Sequence, residues 1–348
     1  MKKFYIFISI SLIFTIIKTS SILLNSLLYS IAIVLIAILL GDFTYDISEL
    51  IGEKKGGLLT ATIGNLPELM MGLLSIQYGM IPMVKASVIG SIIGNILLVL
   101  GISIFFGGIK YKEQVFNKLT ARTNFNMLLL AMSAIIVMTS LNKYSTLTIT
   151  SASKISVKVA IVLILVYILG LIFSLYTHSN LFIVSDTKEI KETKKGKNIK
   201  ILFLGIIIES ILLYIISEKL IVNVKYIVNT YNISQEFLGI ILIPILGNIG
   251  ENISAIMSSL KNKINLSLEI AIGSSIQMAL FVTPVLVIYA FFTAVPITLI
   301  FTTFQIIIAL IAVGMSYFVF QDGKTYWLEG AILIAIYIMI TLAYYHIS

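Results

Sequence analysis

Gly64-Asn65-Leu66-Pro67-Glu68 sits inside an apolar stretch, and 183 residues further on Gly247-Asn248-Ile249-Gly250-Glu251 repeats it inside another. Each copy puts a carboxylate where a membrane helix ordinarily carries apolar side chains. A charge at that depth is costly and marks an ion or proton path; matching charges in two halves are the signature of a repeat-built transporter. The likeness extends outward. Residues 64–93 align without gaps with 247–276 through Gly64/Gly247, Asn65/Asn248, Glu68/Glu251, Ser75/Ser258, Gly90/Gly273 and Ser91/Ser274. Isoleucine matches are cheap in so apolar a chain, whereas these polar and glycine matches are not.

The composition around the motifs decides the class. Of 348 residues 59% are hydrophobic and 11% charged, with a mean hydropathy of +1.06, where a soluble domain carries about 25% charged residues. Apolar runs long enough to span a bilayer recur near 4–17, 22–46, 58–79, 84–106, 122–141, 156–177, 200–222, 236–260, 264–292, 297–320 and 326–346. Only helices or closed barrels satisfy the backbone in lipid, and continuous runs of this length mean helices. The expectation is an all-α polytopic membrane protein with about eleven transmembrane helices. Cysteine is absent, and the two histidines, His178 and His346, lie far along the chain from the motifs. That excludes disulfides and thiolate metal sites, and neither HExxH nor GxSxG occurs, so neither an enzyme nor a cofactor is expected. The net charge of +8 comes from lysines in short loops, which is the positive-inside pattern rather than a nucleic-acid footprint.

Loop charges orient the chain. Alternate loops collect Lys2, Lys3, Lys54, Lys55, Lys110, Lys112, Lys118, Arg122, Lys261, Lys263, Lys324 and the lysines of 188–200 on one side, 17 of the 24 basic residues. The other side has Lys18, Lys85, Lys143, Lys154, Lys158, Lys219 and Lys225. The N-terminus is therefore expected inside and the C-terminus outside. The span carrying Glu68 then runs outward and the span carrying Glu251 runs inward, which predicts two inverted five-helix repeats plus an extra N-terminal helix. The boundaries read as an N-terminal helix over 1–21, a first repeat over 22–184, a charged cytoplasmic linker over 185–199 and a second repeat over 200–348. The linker reads as a solvated loop, or a segment that binds anionic headgroups. Lys2 and Lys3 before a short apolar run resemble a signal peptide, but no small-x-small cleavage site follows, so 1–21 is expected to stay as a first helix.

Asn65 and Glu68 are three residues apart, as are Asn248 and Glu251, so each pair shares a helix face. Ser91 with Asn95, and Ser274 with Gln277, do the same on the following spans. If the hairpins cross at the midplane these side chains converge. Pro67 and Gly64 are expected to interrupt the first motif helix, and Pro244, Gly247 and Gly250 the second, freeing carbonyls as further ligands. The inventory is hard oxygen, suited to calcium, magnesium or manganese. Two carboxylates balance one divalent ion; without it they cannot both stay charged in a buried site and take up protons as a pair. Binding of either a metal ion or protons at one site is what metal/proton antiport requires. A sodium-coupled or broader divalent exchanger, and less readily a passive cation channel, stay open as alternatives. Asp42, Asp46, Glu49, Glu209 and Glu218 are further acids at membrane level, read as proton relays or as ordinary helix-end and interhelical hydrogen-bonding groups.

At these residues the chain resembles the calcium/proton exchanger family of the cation/calcium exchanger superfamily. The likeness runs through Gly64-Asn65-Leu66-Pro67-Glu68-Leu69, Gly90-Ser91 and Asn95-Ile96-Leu97-Leu98-Val99-Leu100-Gly101, and then through Gly247 to Glu251 and Gly273-Ser274-Ser275-Ile276-Gln277. Tyr111 to Asn117 and Trp327-Leu328-Glu329-Gly330-Ala331 also resemble family segments. The resemblance implies an eleven-helix antiporter exporting Ca²⁺ in exchange for H⁺, with Glu68 and Glu251 as central ion ligands and as the proton-coupling pair. Asn65, Asn248, Ser91, Asn95, Ser274 and Gln277 support them. The transported ions and the lipid bilayer are the partners, nucleic acid is not, and homo-oligomerisation is left open. The short N-terminal tail favours a prokaryotic plasma membrane. Three departures stand out: Asn252 where most members carry His, Pro67 as in the sodium/calcium branch, and a basic rather than acidic linker.

Overall fold

The computed structural model describes residues 2–52, 56, 59–60, 62–145, 147–178, 198–293 and 295–347. The 185–199 linker, except for its last two residues, and the side chains of Lys2, Lys3, Lys54 and Lys55 lie outside the described residues. What is described is mostly helix: α1 (Lys2–Ile16), α2 (Ile22–Ile51), α3 (Leu66–Gln77), α4 (Ile81–Tyr111), α5 (Lys118–Tyr144) and α6 (Ile149–Thr177). After the linker come α7 (Ile199–Tyr231), α8 (Gln235–Ser259), α9 (Ile264–Phe291), α10 (Thr303–Val319) and α11 (Trp327–Ile347). Among the described residues eight of these, α2, α4 to α9 and α11, are long and apolar enough to cross a membrane.

Polar residues between the apolar runs set where helices start. Asn117, Thr148, Asn198 and Ser234 each accept backbone N–H groups of the first turn they precede. Thr302 and Gln305 cap α10 reciprocally. Each such cap satisfies donors that have no intrahelical partner.

Several helices outrun their apolar stretches. α7 continues to Tyr231, so Lys219 and Lys225 lie on the helix rather than in a loop. α6 carries Lys154 and Lys158, and α5 carries Arg122. Helical hydrogen bonds do not stop where hydropathy falls, and long basic side chains extend past the apolar zone. The expected 297–320 span instead starts its helix at Thr303. The residues before it are held by side chains of neighbours: Ser156 Oγ accepts from Leu299 N at 3.0 Å and Thr139 Oγ1 accepts from Phe301 N at 3.0 Å.

The helices pack as pairs, α2 with α7, α4 with α8 and α11, α6 with α9, and α5 with α10. Two apolar clusters result, one on α4, α5, α6 and α9 to α11, the other on α2, α3 and α7. Both motif helices, α3 and α8, contribute to each cluster and so stand where the two meet. At α4–α8 the backbones themselves touch: Gly90 leaves no room for a side chain against Ile240, nor does Gly239 against Met83.

The loops sort to two ends. A short antiparallel ladder pairs β1 (Gln114–Val115) with β2 (Lys324–Thr325). Beside it Gln114 Nε2 donates to Ser259 O at 2.9 Å, and Lys110 Nζ and Tyr111 OH donate to Leu260 O at 2.8 and 3.0 Å. The loops after α4, α8 and α10 thus share one end, with Lys110, Lys112, Lys118, Lys261, Lys263 and Lys324. At the other end Lys225 Nζ donates to Tyr78 O at 2.9 Å, so α3 finishes where α7 ends and α8 begins.

Candidate functional site

The two motifs differ locally. Gly64 and Asn65 form a turn, and α3 begins only at Leu66 with Pro67 in its first turn. This is where a proline costs no helical hydrogen bond. The second motif corrects the expected interruption: α8 runs unbroken from Gln235 to Ser259 through Pro244, Gly247 and Gly250. A proline lacks the N–H that its helix would give to the carbonyl four residues back. Here that carbonyl belongs to Ile240 and is covered by Gly90 of α4.

Gly64 does break the helix before α3, as expected, whereas Gly247 and Gly250 do not break α8; Gly64 and Gly247 share a tertiary role instead. A side chain on Gly247 would run into Cγ of Glu68, with Cδ 3.1 Å away, and one on Gly64 would run into Oε1 of Glu251. Each motif's glycine is therefore the seat of the other motif's glutamate. The identity Gly64/Gly247 held the signal for this, but nothing local said what filled the space.

Around these seats the polar residues form one buried network. Ser91 Oγ donates to Glu68 Oε1, and Asn248 Nδ2 donates to the same oxygen at 2.8 Å. Asn95 Nδ2 donates to Ser274 Oγ at 3.0 Å, and Ser274 Oγ to Asn248 Oδ1 at 3.3 Å. Asn65 Nδ2 donates to Gln277 Oε1 across the repeats. Glu251 lies beside Ser274 and against Gly64. All eight residues singled out from the sequence are thus gathered by α3, α4, α8 and α9. Among the described residues, three fully buried oxygens in this group have no hydrogen-bond partner: Asn65 Oδ1, Glu68 Oε2 and Glu251 Oε2. Among the described residues no Lys, Arg or His forms an ion pair with either glutamate. Glu68 is 1% exposed, whereas Glu251 is only half-buried.

Sequence reasoning did not foresee the helix geometry beneath the network. α4 widens into a π-helical turn over Gly94–Val99, and α9 does so over Met278–Val282. Under the 183-residue offset the two stretches end at the same place and their starts differ by one residue. Such wide turns cluster at functional sites because they reorient side chains within a continuous helix. Asn95 lies inside the first. Tyr167 of α6 stacks on Phe281 in the second, with ring centroids 5.5 Å apart. α9 also carries Glu269, a half-buried carboxylate whose signal in the sequence is an acid within an apolar run.

The other acids are spread out. Glu218 accepts from Tyr78 OH at 3.0 Å. Glu209 is fully buried on α7 with neither oxygen partnered, on the side of Asp42 in α2. Asp42 and Glu49 are exposed and Asp46 is half-buried, toward the end of α2.

A helical membrane protein with two glutamates from repeated motifs in one buried polar centre is a recognisable class. The chain belongs to the sodium/calcium exchanger protein family, whose profile matches residues 4–176 and 201–345. It is 37% identical over 329 residues to the Ca(2+)/H(+) antiporter of Aphanothece halophytica, covering 91% of this chain and 88% of that one. It is 34% identical over 320 residues to the Ca(2+)/H(+) antiporter ChaA of Bacillus subtilis (strain 168), covering 91% and 90%. The fold is similar to the crystal structure of the Ca2+/H+ antiporter protein YfkE, with a TM-score of 0.82, 30% identity and 99% of both chains covered.

Proposed function

We propose that this protein is a Ca²⁺/H⁺ antiporter that exports calcium from the cytoplasm in exchange for protons by alternating access. The observation that carries it is the unpartnered oxygen on each glutamate, Glu68 Oε2 and Glu251 Oε2, within one buried hydrogen-bonded cluster. Buried polar atoms are ordinarily paired, and a hard cation satisfies carboxylate and amide oxygens together. Asn65 Oδ1 offers a third such oxygen. Calcium is bound by Glu68, Glu251 and Asn65, with Asn248, Ser91, Asn95, Ser274 and Gln277 orienting them and supplying further oxygens. Once calcium leaves, no basic group among the described residues replaces its charge, and protons on Glu68 and Glu251 do. Competition for the same oxygens couples the two fluxes. The names of the relatives at 37% and 34% identity point the same way. No enzyme activity or resident cofactor enters this reading.

The arrangement behind alternating access is two inverted five-helix repeats, 22–184 and 200–348, with an added N-terminal helix in 1–21 and a cytoplasmic linker over 185–199. In support, α3 ends at the end of the bundle where α8 begins. The end that gathers Lys110, Lys112, Lys118, Lys261, Lys263 and Lys324 faces the cytoplasm by the positive-inside rule. The N-terminus is then cytoplasmic and the membrane is the plasma membrane of a prokaryote.

The test is calcium uptake into everted vesicles under an imposed pH gradient, with sodium and manganese as competitors. Uptake should follow the proton gradient and fall at least about thirtyfold in Glu68→Gln and in Glu251→Gln, the scale for removing one member of a buried charged set. Uptake driven by sodium alone would replace the proton. Full calcium-driven proton movement in both variants would remove the site assignment.

A further inference from the structure

Between the start of α5 and the end of α10 lies a cavity of about 240 Å³, lined by Lys118, Ala121, Arg122, Phe125, Tyr317, Phe320 and Gln321. Its wall is aromatic. Phe125 packs on Phe320 at 5.7 Å and on Tyr317 at 6.0 Å between ring centroids. Phe125 and Phe320 are buried, while Tyr317 is 37% exposed, as a ring at a membrane–water boundary would be. Its rim is cationic. Lys118 and Arg122 line it one turn apart, and no acid does. Among the described residues neither side chain makes a hydrogen bond or ion pair with protein; the Lys118 stem lies against Gly323. Of the acids nearest along the chain, Glu113 pairs with Lys324 at 2.9 Å, while Asp322 follows the lining residue Gln321 and accepts only the backbone N–H of Lys324 at 3.0 Å.

We propose that this cavity binds the phosphodiester headgroup of an anionic phospholipid in the leaflet on the lysine-rich face. Scattered positive-inside lysines account for charge on that face, but not for two uncommitted cations over a walled, aromatic cavity at a helix–helix junction. Basic pockets between transmembrane helices are the common form of anionic headgroup sites. Arg122 presents a planar fork that matches phosphate oxygens, and Lys118 adds a point charge. Phe125, Phe320 and Tyr317 offer apolar surface to the glycerol and first acyl carbons. The proposal needs only that these helices cross a bilayer and does not depend on the exchange reading.

Native mass spectrometry of the purified full-length protein in neutral detergent tests it, with phosphatidylglycerol, phosphatidylcholine or inorganic phosphate added. Phosphatidylglycerol should be retained over phosphatidylcholine. Lys118→Gln with Arg122→Gln should weaken retention about thirtyfold, from roughly fivefold per basic side chain at a charged headgroup. Lys261→Gln with Lys263→Gln, on the same face, should leave it unchanged. Lys118→Arg with Arg122→Lys, which keeps the charge, should retain the lipid and guards against misfolding as the cause. Unchanged retention in the glutamine pair, equal loss in the Lys261/Lys263 control, or loss in the charge-conserving pair would overturn the proposal. Displacement of the lipid by inorganic phosphate at comparable concentration would instead make this a free-phosphate site and overturn it as a lipid site.

Discussion

Gly247 of α8 is packed against the side chain of Glu68 of α3 so closely that a Cβ there has no space. The reciprocal contact puts the carboxylate of Glu251 against Gly64. The two contacts differ in which part of the glutamate they touch, and the consequences differ with it. At Gly247 the obstacle is Cγ, near the backbone, so Gly247→Ala forces Glu68 into another rotamer. At Gly64 the nearest glutamate atom is Oε1, the end of a flexible chain, which can swing aside; a Cβ there also meets the backbone oxygen of Thr60 at 2.9 Å, which strains the turn rather than displacing Glu251. An off-rotamer side chain costs about 0.5–1.5 kcal/mol. Gly247→Ala should therefore lower calcium affinity by roughly two- to tenfold and Gly64→Ala clearly less, measured by equilibrium ⁴⁵Ca binding to the purified protein. Equal losses would contradict the asymmetry.

Asn248 joins the two halves of the hydrogen-bond network, donating to Glu68 Oε1 at 2.8 Å while its Oδ1 accepts from Ser274. Asn248→Ala removes both links and leaves Ser274 and Asn95 to reorient. Groups that orient metal ligands are worth about ten- to a hundredfold in affinity. A loss in that range is expected for Asn248→Ala, with Asn248→Gln no better, because the added methylene displaces the amide. Calcium-dependent proton uptake by reconstituted vesicles reads both.

The α4–α8 crossing should limit stability rather than binding. Gly90 faces the carbonyl and Cα of Ile240, backbone atoms that cannot move without moving the helix. Gly90→Ala should destabilise the protein by about 1–3 kcal/mol, the range for overpacked cores. Its repeat counterpart Gly273 meets nothing within 4 Å among the described residues, so Gly273→Ala should be near neutral. Thermal unfolding of the two variants in detergent compares them directly.

Outside the membrane, Glu113 accepts from Lys324 and from Tyr326 OH, and these hydrogen bonds hold its carboxyl below the usual carboxylate range. The group is exposed, so its effect on stability is small. Its sign is definite: a depressed carboxylate stabilises the fold above its ordinary titration range, and that contribution is lost as pH falls through the lower folded value. Glu113→Gln should be less stable than the parent at neutral pH and converge with it below about pH 4. Melting temperatures of both across pH 3–8, a range about the carboxylate titration, should show the curves closing at the acid end.

The helical membrane class was legible in the sequence because hydropathy over a bilayer-length run is a local, additive property. So were the eight polar residues of the centre, because a polar side chain in lipid stands out wherever it occurs. Helix ends were read less well, since caps and continuing backbone hydrogen bonds, not hydropathy, decide where α7 stops and α10 starts. The unbroken α8 was missed because a proline's effect depends on what covers the carbonyl it frees, and that cover is Gly90, from another helix. Composition and spacing thus determined by themselves that Glu68 and Glu251 lie within apolar stretches, each beside an asparagine and a glycine. Only the tertiary structure decided that each glutamate rests on the other motif's glycine, that π-helical turns aim the neighbouring side chains, and which three oxygens are left without partners. Those are contacts between segments about 180 residues apart, set by packing and by which helix face meets which, and no local pattern encodes them.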